Sequence, residues 1–256
     1  MTDKLLERRA GAVLTLAFNR PRVRNAVDAE TMDALRQAVA ACGDETRVIV
    51  ITGTGGAFCS GADLTAIGGD LSADAAVRVL TDSYHPALMA IRAAPCPVIA
   101  VVDGSAAGIG CDIALACDMR LVSERAVFAE LFVKVGLVPD GGGTWTLPRL
   151  IGLGRALELM YTGMPVDAGE ALRIGLANRL IRSEHLEADV AAFTALLAAQ
   201  AAHALRRMRQ AVYAAQDMAF DEALAQEARL QREIFARDDG FEGFRAFLEK
   251  RAPVWA

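Results

Sequence analysis

Three acids between residues 112 and 140 stand in settings suited to proton transfer: Asp112 in Gly-Cys-Asp-Ile, Glu130 in Ala-Glu-Leu-Phe, and Asp140 in Val-Pro-Asp-Gly-Gly-Gly. A carboxylate held in a pocket can take a proton from carbon and return it elsewhere. The setting of Asp140 has a plainer reading too. Proline presets φ for a turn, aspartate bonds its own backbone, and glycine accepts positive φ. The residue types alone leave both readings open.

Two glycine-rich turns could face such an acid. ITGTGGAFCSGADL, at 51–64, leaves the apolar run RVIVIT, and VDGSAAGIGCDIAL, at 102–115, leaves the apolar run VIAVVD. Small residues where a strand gives way to a helix let a ligand approach bare backbone N–H groups. Neither turn holds phosphate by a known pattern, because GxxxxGK[ST] is absent and neither GTGGAF nor GIGCDI completes GxGxxG. Ser60 and Ser105 adjoin glycines, yet neither sits in the GxSxG elbow of a serine hydrolase. The five cysteines (42, 59, 96, 111 and 117) form no CxxC, and His85, His185 and His203 lie at no ligand spacing, so a metal site has no support.

The elements that must carry these turns follow from apolar patterning. AVLTLAF at 12–18, RVIVIT at 47–52, VIAVVD at 98–103 and MRLV at 119–122 read as strands, the middle two too apolar to be half exposed. Asp28 caps a helix with Met32, Leu35, Val39 and Cys42 at helical spacing, ended by Gly43. Residues 72–94 and 108–117 are helical in pattern, LANRLI at 176–181 is a further strand candidate, and 185–237 and 240–250 are helical. The expected class is α/β with a largely parallel sheet covered on both faces, divided into a core over 1–195 and a helical region over 196–256.

Composition narrows the partners. The chain has 256 residues, 54% hydrophobic and 23% charged, enough for a large core. A net charge of −5 offers no footprint for nucleic acid. The N-terminus mixes acids and bases before its short apolar run, and no 18-residue apolar stretch is free of charge, so neither a secretory signal nor a membrane span is expected. An odd number of unpatterned cysteines fits buried thiols in a reducing cytoplasm.

NRPRVRNAVD at 19–28, GGAFCSGADL at 55–64, VDGSAAGIGCDIALACDMRL at 102–121 and GLVPDGGGTWTLPRLIG at 136–152 together resemble, in order and over almost the whole chain, the crotonase or enoyl-CoA hydratase/isomerase superfamily. The resemblance implies a spiral of ββα units with a C-terminal helical trimerisation region. It implies an enzyme acting on an acyl-CoA thioester, with coenzyme A brought by the substrate and no other cofactor, and self-association as a homotrimer or dimer of trimers.

By that resemblance the N–H groups of Ala62 and Ile109 form an oxyanion hole, Ile109 standing where the family commonly has glycine. A helix start there would aim unpaired N–H groups at a developing enolate. The two glutamates of the hydratases map to Asp112 and Phe132, so one of the pair is missing. Glu130 lies two residues from Phe132 and, on an extended segment, shares its face at roughly 6–7 Å. The family's dienoyl and ring-epoxide isomerases place an aspartate where Asp140 stands. One base suffices to move a double bond, so the resemblance favours an isomerase with Asp140 as base, Asp112 as helper and Glu130 as a further candidate. A hydratase adding water to a 2-enoyl-CoA in fatty-acid or aromatic-acid degradation is the alternative, and a non-catalytic acyl-CoA binder the second. Arg22, Arg24, Ala26, Ala62, Asp63, Leu64 and Lys250 correspond to the family's CoA-contacting stretches. Phe132, Tyr84 and His85, with the glycine pair Gly68-Gly69 nearby, fall where the family varies its acyl pocket.

Overall fold

Runs of β-branched and aliphatic residues can bury both faces of a strand only when helices cover both faces of the sheet. The computed structural model, which describes residues 3–67, 72–237 and 240–255, has that arrangement. Strands β1 (Leu5–Ala10), β2 (Val13–Phe18), β3 (Val48–Gly53), β4 (Val98–Val102), β6 (Met119–Ser123) and β9 (Arg179–Ile181) form one six-stranded sheet in the order β1-β2-β3-β4-β6-β9. β1 and β2 are an antiparallel hairpin, and every other pairing is parallel. A second sheet of three short strands, β5 (Ser105–Ala107), β7 (Val127–Ala129) and β8 (Val166–Asp167), lies in the order β5-β7-β8.

Alternation along β3 and β4 sorts two cores. Ile49, Ile51, Val98, Ala100 and Val102 point into the large core with the helices α1 (Ala29–Ala40), α3 (His85–Ala93) and α4 (Ile109–Ala116). Val48, Val50, Ile99 and Val101 point the other way, into a smaller cluster with Leu121 and Ile181. Asp28 caps α1 by accepting the Thr31 N–H, as its position before the apolar stripe requires. α2 (Ala73–Val79) runs into a π-helical turn, Leu80–Tyr84, that leads directly into α3. Gly68 and Gly69 lie outside the described residues.

After the second sheet come α5 (Gly143–Ile151), α6 (Leu153–Thr162) and α7 (Ala168–Arg173). α8 (Leu186–Ala198) covers the smaller cluster through Leu186, Val190, Phe193, Leu197 and Ala198. The expected boundary after residue 195 falls inside α8, whose last turn still packs on this cluster. The helical tail is α9 (Ala202–Ala215), α10 (Phe220–Phe235) and α11 (Glu242–Leu248).

α9 is fastened to the core by a largely buried ion pair. Arg209 Nε donates to both oxygens of Asp118, at 3.0 and 2.9 Å, and its other nitrogens donate to the carbonyls of Ile91, Arg92 and Ala94. Tyr213 donates its hydroxyl to the same aspartate. All five cysteines are free thiols, four of them buried. Among the described residues no single helix is long and apolar enough to cross a membrane.

Candidate active site

The second glycine-rich turn delivers α4 to the site. Gly108, at φ 51° and ψ −128°, takes a left-handed bend that a side chain would strain, and the helix starts at once with Ile109. Cys111 and Asp112 both donate their N–H groups back to the Gly108 carbonyl, whereas the Ile109 N–H takes part in none of the turn hydrogen bonds. The first turn is held by a loop. Cys59 pairs in parallel with Ala106, and Ala62 with Val27, so the segment 58–63 is stitched to β5 on one side and to residues 25–27 on the other. In the second bridge Val27 N–H reaches the Gly61 carbonyl and Asp63 N–H reaches the Val27 carbonyl. The Ala62 N–H is thereby left facing away from Val27. Two unengaged backbone donors, Ala62 and Ile109, border one cavity, the arrangement an enolate oxygen requires.

That cavity, of about 310 Å³, is lined by Ser60, Gly61, Ala62 and Leu64 on one side and by Gly108 and Ile109 on another. Val79, Leu80 and Tyr84 supply an apolar wall, Leu131, Phe132 and Leu137 another, and Asp140 the carboxylate. Burial raises the Asp140 pKa above the ordinary aspartate range, while the His85 charge and its own backbone N–H oppose the rise.

The other two acids sit behind this wall. Asp112, three residues into α4 from Ile109, lies under the glycine turn and accepts the Gly141 N–H at 3.1 Å. A Cβ on Gly141 would stand 2.6 Å from the Asp112 side chain and collide with Ile109, so this close approach needs glycine. Burial and the charges of Glu130 and Asp140 hold the Asp112 carboxyl well above its ordinary range.

Glu130 differs from the expectation. β7 ends at Ala129 and a 3₁₀ turn begins at Phe132, so no extended segment carries residue 130 to the face of residue 132. Leu131 and Phe132 line the cavity, and Glu130 instead turns inward among Cys111, Phe128, Leu147 and Leu159. There neither of its oxygens has a nitrogen or oxygen donor, only the weak Cys111 thiol beside them. Burial first, then the Asp140 charge, raises its pKa to about 7.

The expected pocket and CoA residues divide similarly. Tyr84 lines the cavity with its ring and spends its hydroxyl on the Val27 carbonyl at 2.9 Å. His85 does not line it. The next residue along a helix points about 100° away, and its Nε2 lies 2.8 Å from the Asp140 backbone carbonyl. Arg22 and Arg24 are exposed and make no ion pair among the described residues, while the backbone of Val23 and Arg24 is bonded to Ser60 at the cavity rim. Ala26 is buried, Leu64 is exposed at the rim, and Lys250 lies exposed beyond α11. Asp63 is committed to Arg20 at 2.7 Å.

Two residues that sequence reasoning passed over complete the frame. Asn25 is fully buried in a left-handed conformation, donates to the carbonyls of Thr54 and Ala57, and accepts the Arg20 N–H. Arg20 ties Ala26 and Asp63 together. The signal was the asparagine in Arg-Asn-Ala, a residue that tolerates left-handed backbone. Among the described residues no group of three or more His, Cys, Asp or Glu could hold a metal ion.

Comparison with known proteins places this geometry among relatives. The family model described as enoyl-CoA hydratase/isomerase matches residues 8–256. The chain is 41% identical over 244 residues to a probable enoyl-CoA hydratase of Rhodobacter capsulatus, covering 94% of this chain and 93% of the relative. It is 37% identical over 239 residues to a crotonyl-CoA hydratase of Syntrophomonas wolfei, covering 92% and 91%. Among solved structures, an enoyl-CoA hydratase from Bacillus anthracis superposes with a TM-score of 0.94 at 29% identity, covering 98% of each chain.

Proposed function

This chain belongs to the enoyl-CoA hydratase/isomerase family, an acyl-CoA enzyme family, and from that premise we propose that it is a double-bond isomerase of enoyl-CoA or related dienoyl- or ring-CoA esters. One observation carries the reading: Asp140 is the only carboxylate lining the cavity among the described residues. The thioester carbonyl would sit between the N–H groups of Ala62 and Ile109, where the growing negative charge of an enolate is met by fixed dipoles. Asp140 would take a proton from a carbon conjugated with that carbonyl. The electron pair left behind delocalises into the enolate, the double bond moves, and the same carboxyl returns the proton two or four carbons along. No net proton or water is consumed, so one acid/base group suffices.

The apolar wall of Phe132, Leu131 and Leu137 supports this reading, because a dry pocket favours a shuttled proton over attack by water. A hydratase needs a second group to orient water, and the candidates Asp112 and Glu130 are both buried behind the turn. The hydratase reading keeps a support of its own, in that the relatives named above are called hydratases. Incubating crotonyl-CoA, a 3-enoyl-CoA and a dienoyl-CoA in heavy water tests the choice. Deuterium returned to carbon without added water is the isomerase result. A 3-hydroxyacyl product is the hydratase result, and tight ester binding without turnover marks a binder.

For the substrate's phosphates, the unpaired Arg22 and Arg24 beside the rim, with Ala26, Asp63, Leu64 and the tail's Lys250, are the proposed CoA contacts. Charge reversal at Arg24 then weakens CoA-ester binding in a salt-dependent manner. Self-association as a trimer or dimer of trimers is supported by the exposed Phe220, Phe244, Phe247 and Leu248 of the tail. A monomer mass by light scattering is the contrary result.

A further inference from the structure

We propose that His85 is a positioning residue for the acid/base carboxylate: its ring N–H and the Asp112 carboxyl grip the Asp140–Gly141 peptide from opposite ends and so aim the Asp140 side chain into the cavity. The inference rests on the reading of Asp140 as the base.

The geometry is specific to one peptide group. His85 Nε2 lies 2.8 Å from the Asp140 carbonyl oxygen, and a carbonyl only accepts, so that nitrogen carries the proton. Asp112 Oδ2 accepts the N–H of Gly141 at 3.1 Å. The Asp140 carbonyl and the Gly141 N–H are the two ends of the same planar unit. Holding both ends fixes the plane, hence ψ of Asp140 and the direction of its Cα–Cβ bond.

Asp112, bonded by the Gly141 and Gly143 backbone, holds the glycine side of the turn, whereas the segment before Asp140 is lightly packed. Val135, Leu137 and Val138, which lead into it, are all largely exposed, and Gly141 to Gly143 follow. His85, by contrast, projects from a firmly seated helix. Just before it, Tyr84 bonds the Val27 carbonyl and Ser83 the Ala29 carbonyl. Ala87, Leu88 and Ile91 of α3 are buried. Near its far end the Arg92 guanidinium lies 3.8 Å from the Tyr213 ring and 4.8 Å from the ring of Trp145 in α5. The turn is thus referenced to a rigid element through one side chain.

The test compares variants at 85 for turnover, KM and deuterium exchange into a 3-enoyl-CoA ester. His85→Leu removes the donor; kcat and exchange are expected to fall about tenfold or more, with KM and the melting temperature little changed. Glutamine reaches a similar position with an N–H and methionine without one, so His85→Gln is expected to retain most of the activity and His85→Met to lose it. Equal rates in the Gln and Met variants overturn the proposal, even if the Leu variant folds poorly. If Asp140→Asn is inactive while His85→Leu keeps the wild-type rate, the positioning role fails and the base stands. If Asp140→Asn itself remains active, the reading of the base fails first.

Discussion

Asp112, Glu130 and Asp140 carry the same functional group in three environments, and only the last faces the cavity. Burial pushes all three pKa values up, yet the consequence differs. Behind the wall Asp112 and Glu130 are held toward their protonated forms, whereas on the isomerase reading Asp140 must ionise to act as base. Its activity is therefore present above its folded pKa and lost as pH falls through it. The rate profile, kcat/KM against pH, is expected to rise through a single acidic limb placed above the ordinary aspartate value of about 3.9. Asp140→Asn abolishes turnover over the whole range; a limb that stays in that variant with undiminished height contradicts the assignment. The turn that brings Asp140 to the cavity was legible in the sequence because Pro-Asp-Gly-Gly-Gly is a local pattern. The role of His85 was not, because the carbonyl it holds is 55 residues away and nothing local encodes that contact. The misplacement of Glu130 had a similar origin, since the switch from strand to 3₁₀ turn at 130–132 has no marker such as glycine or proline.

At the scale of elements, the apolar strands β2, β3, β4 and β6, the strand candidate at β9 and the helices with a clear apolar stripe were legible, whereas the polar and the very short strands were not. β3 and β4 announce themselves as apolar runs, but β1, LLERRA, buries only Leu5 and carries its charges on the sheet edge, where charge discourages further pairing. β5, β7 and β8 have three residues or fewer, too short for any period to show. The docking of α9 was equally hidden, because Arg209 meets Asp118 across 91 residues. That contact carries a measurable load: Arg209→Ala would leave a largely buried aspartate without its ion-pair partner and remove a donor from three backbone carbonyls. A loss of about 3 kcal/mol in denaturant-induced unfolding is expected. A loss below about 0.5 kcal/mol would mean that α9 docks by its apolar contacts alone.

Across the whole molecule, the buried acids cost stability at neutral pH. Glu130 has its pKa raised to about 7 in the folded chain, so the native state holds its proton where the unfolded chain has already released it. The favourable difference is complete below the ordinary glutamate range and is lost as pH rises through about 7. A decline of roughly 3 kcal/mol across that window is expected from this group. Glu130→Gln flattens the decline, seen as a gain relative to the wild type as pH rises from 4.5 to 8 in chemical unfolding. Parallel pH curves for the two proteins would assign the cost elsewhere. The same acids lie beneath the turn that carries Asp140, so their cost falls where the proposed chemistry is arranged.

The central claim, that one carboxylate in a dry cavity carries the proton, is tested most directly by exchange in a single enzyme pair. A 3-enoyl-CoA ester is held in heavy water with the wild-type protein and with Asp140→Asn, while ester binding is measured in parallel. Carbon-bound deuterium and a shifted double bond are expected for the wild type. Neither is expected for the variant, with binding retained. Exchange by the Asn variant at the wild-type rate, or hydration of the double bond as the only product, would contradict it.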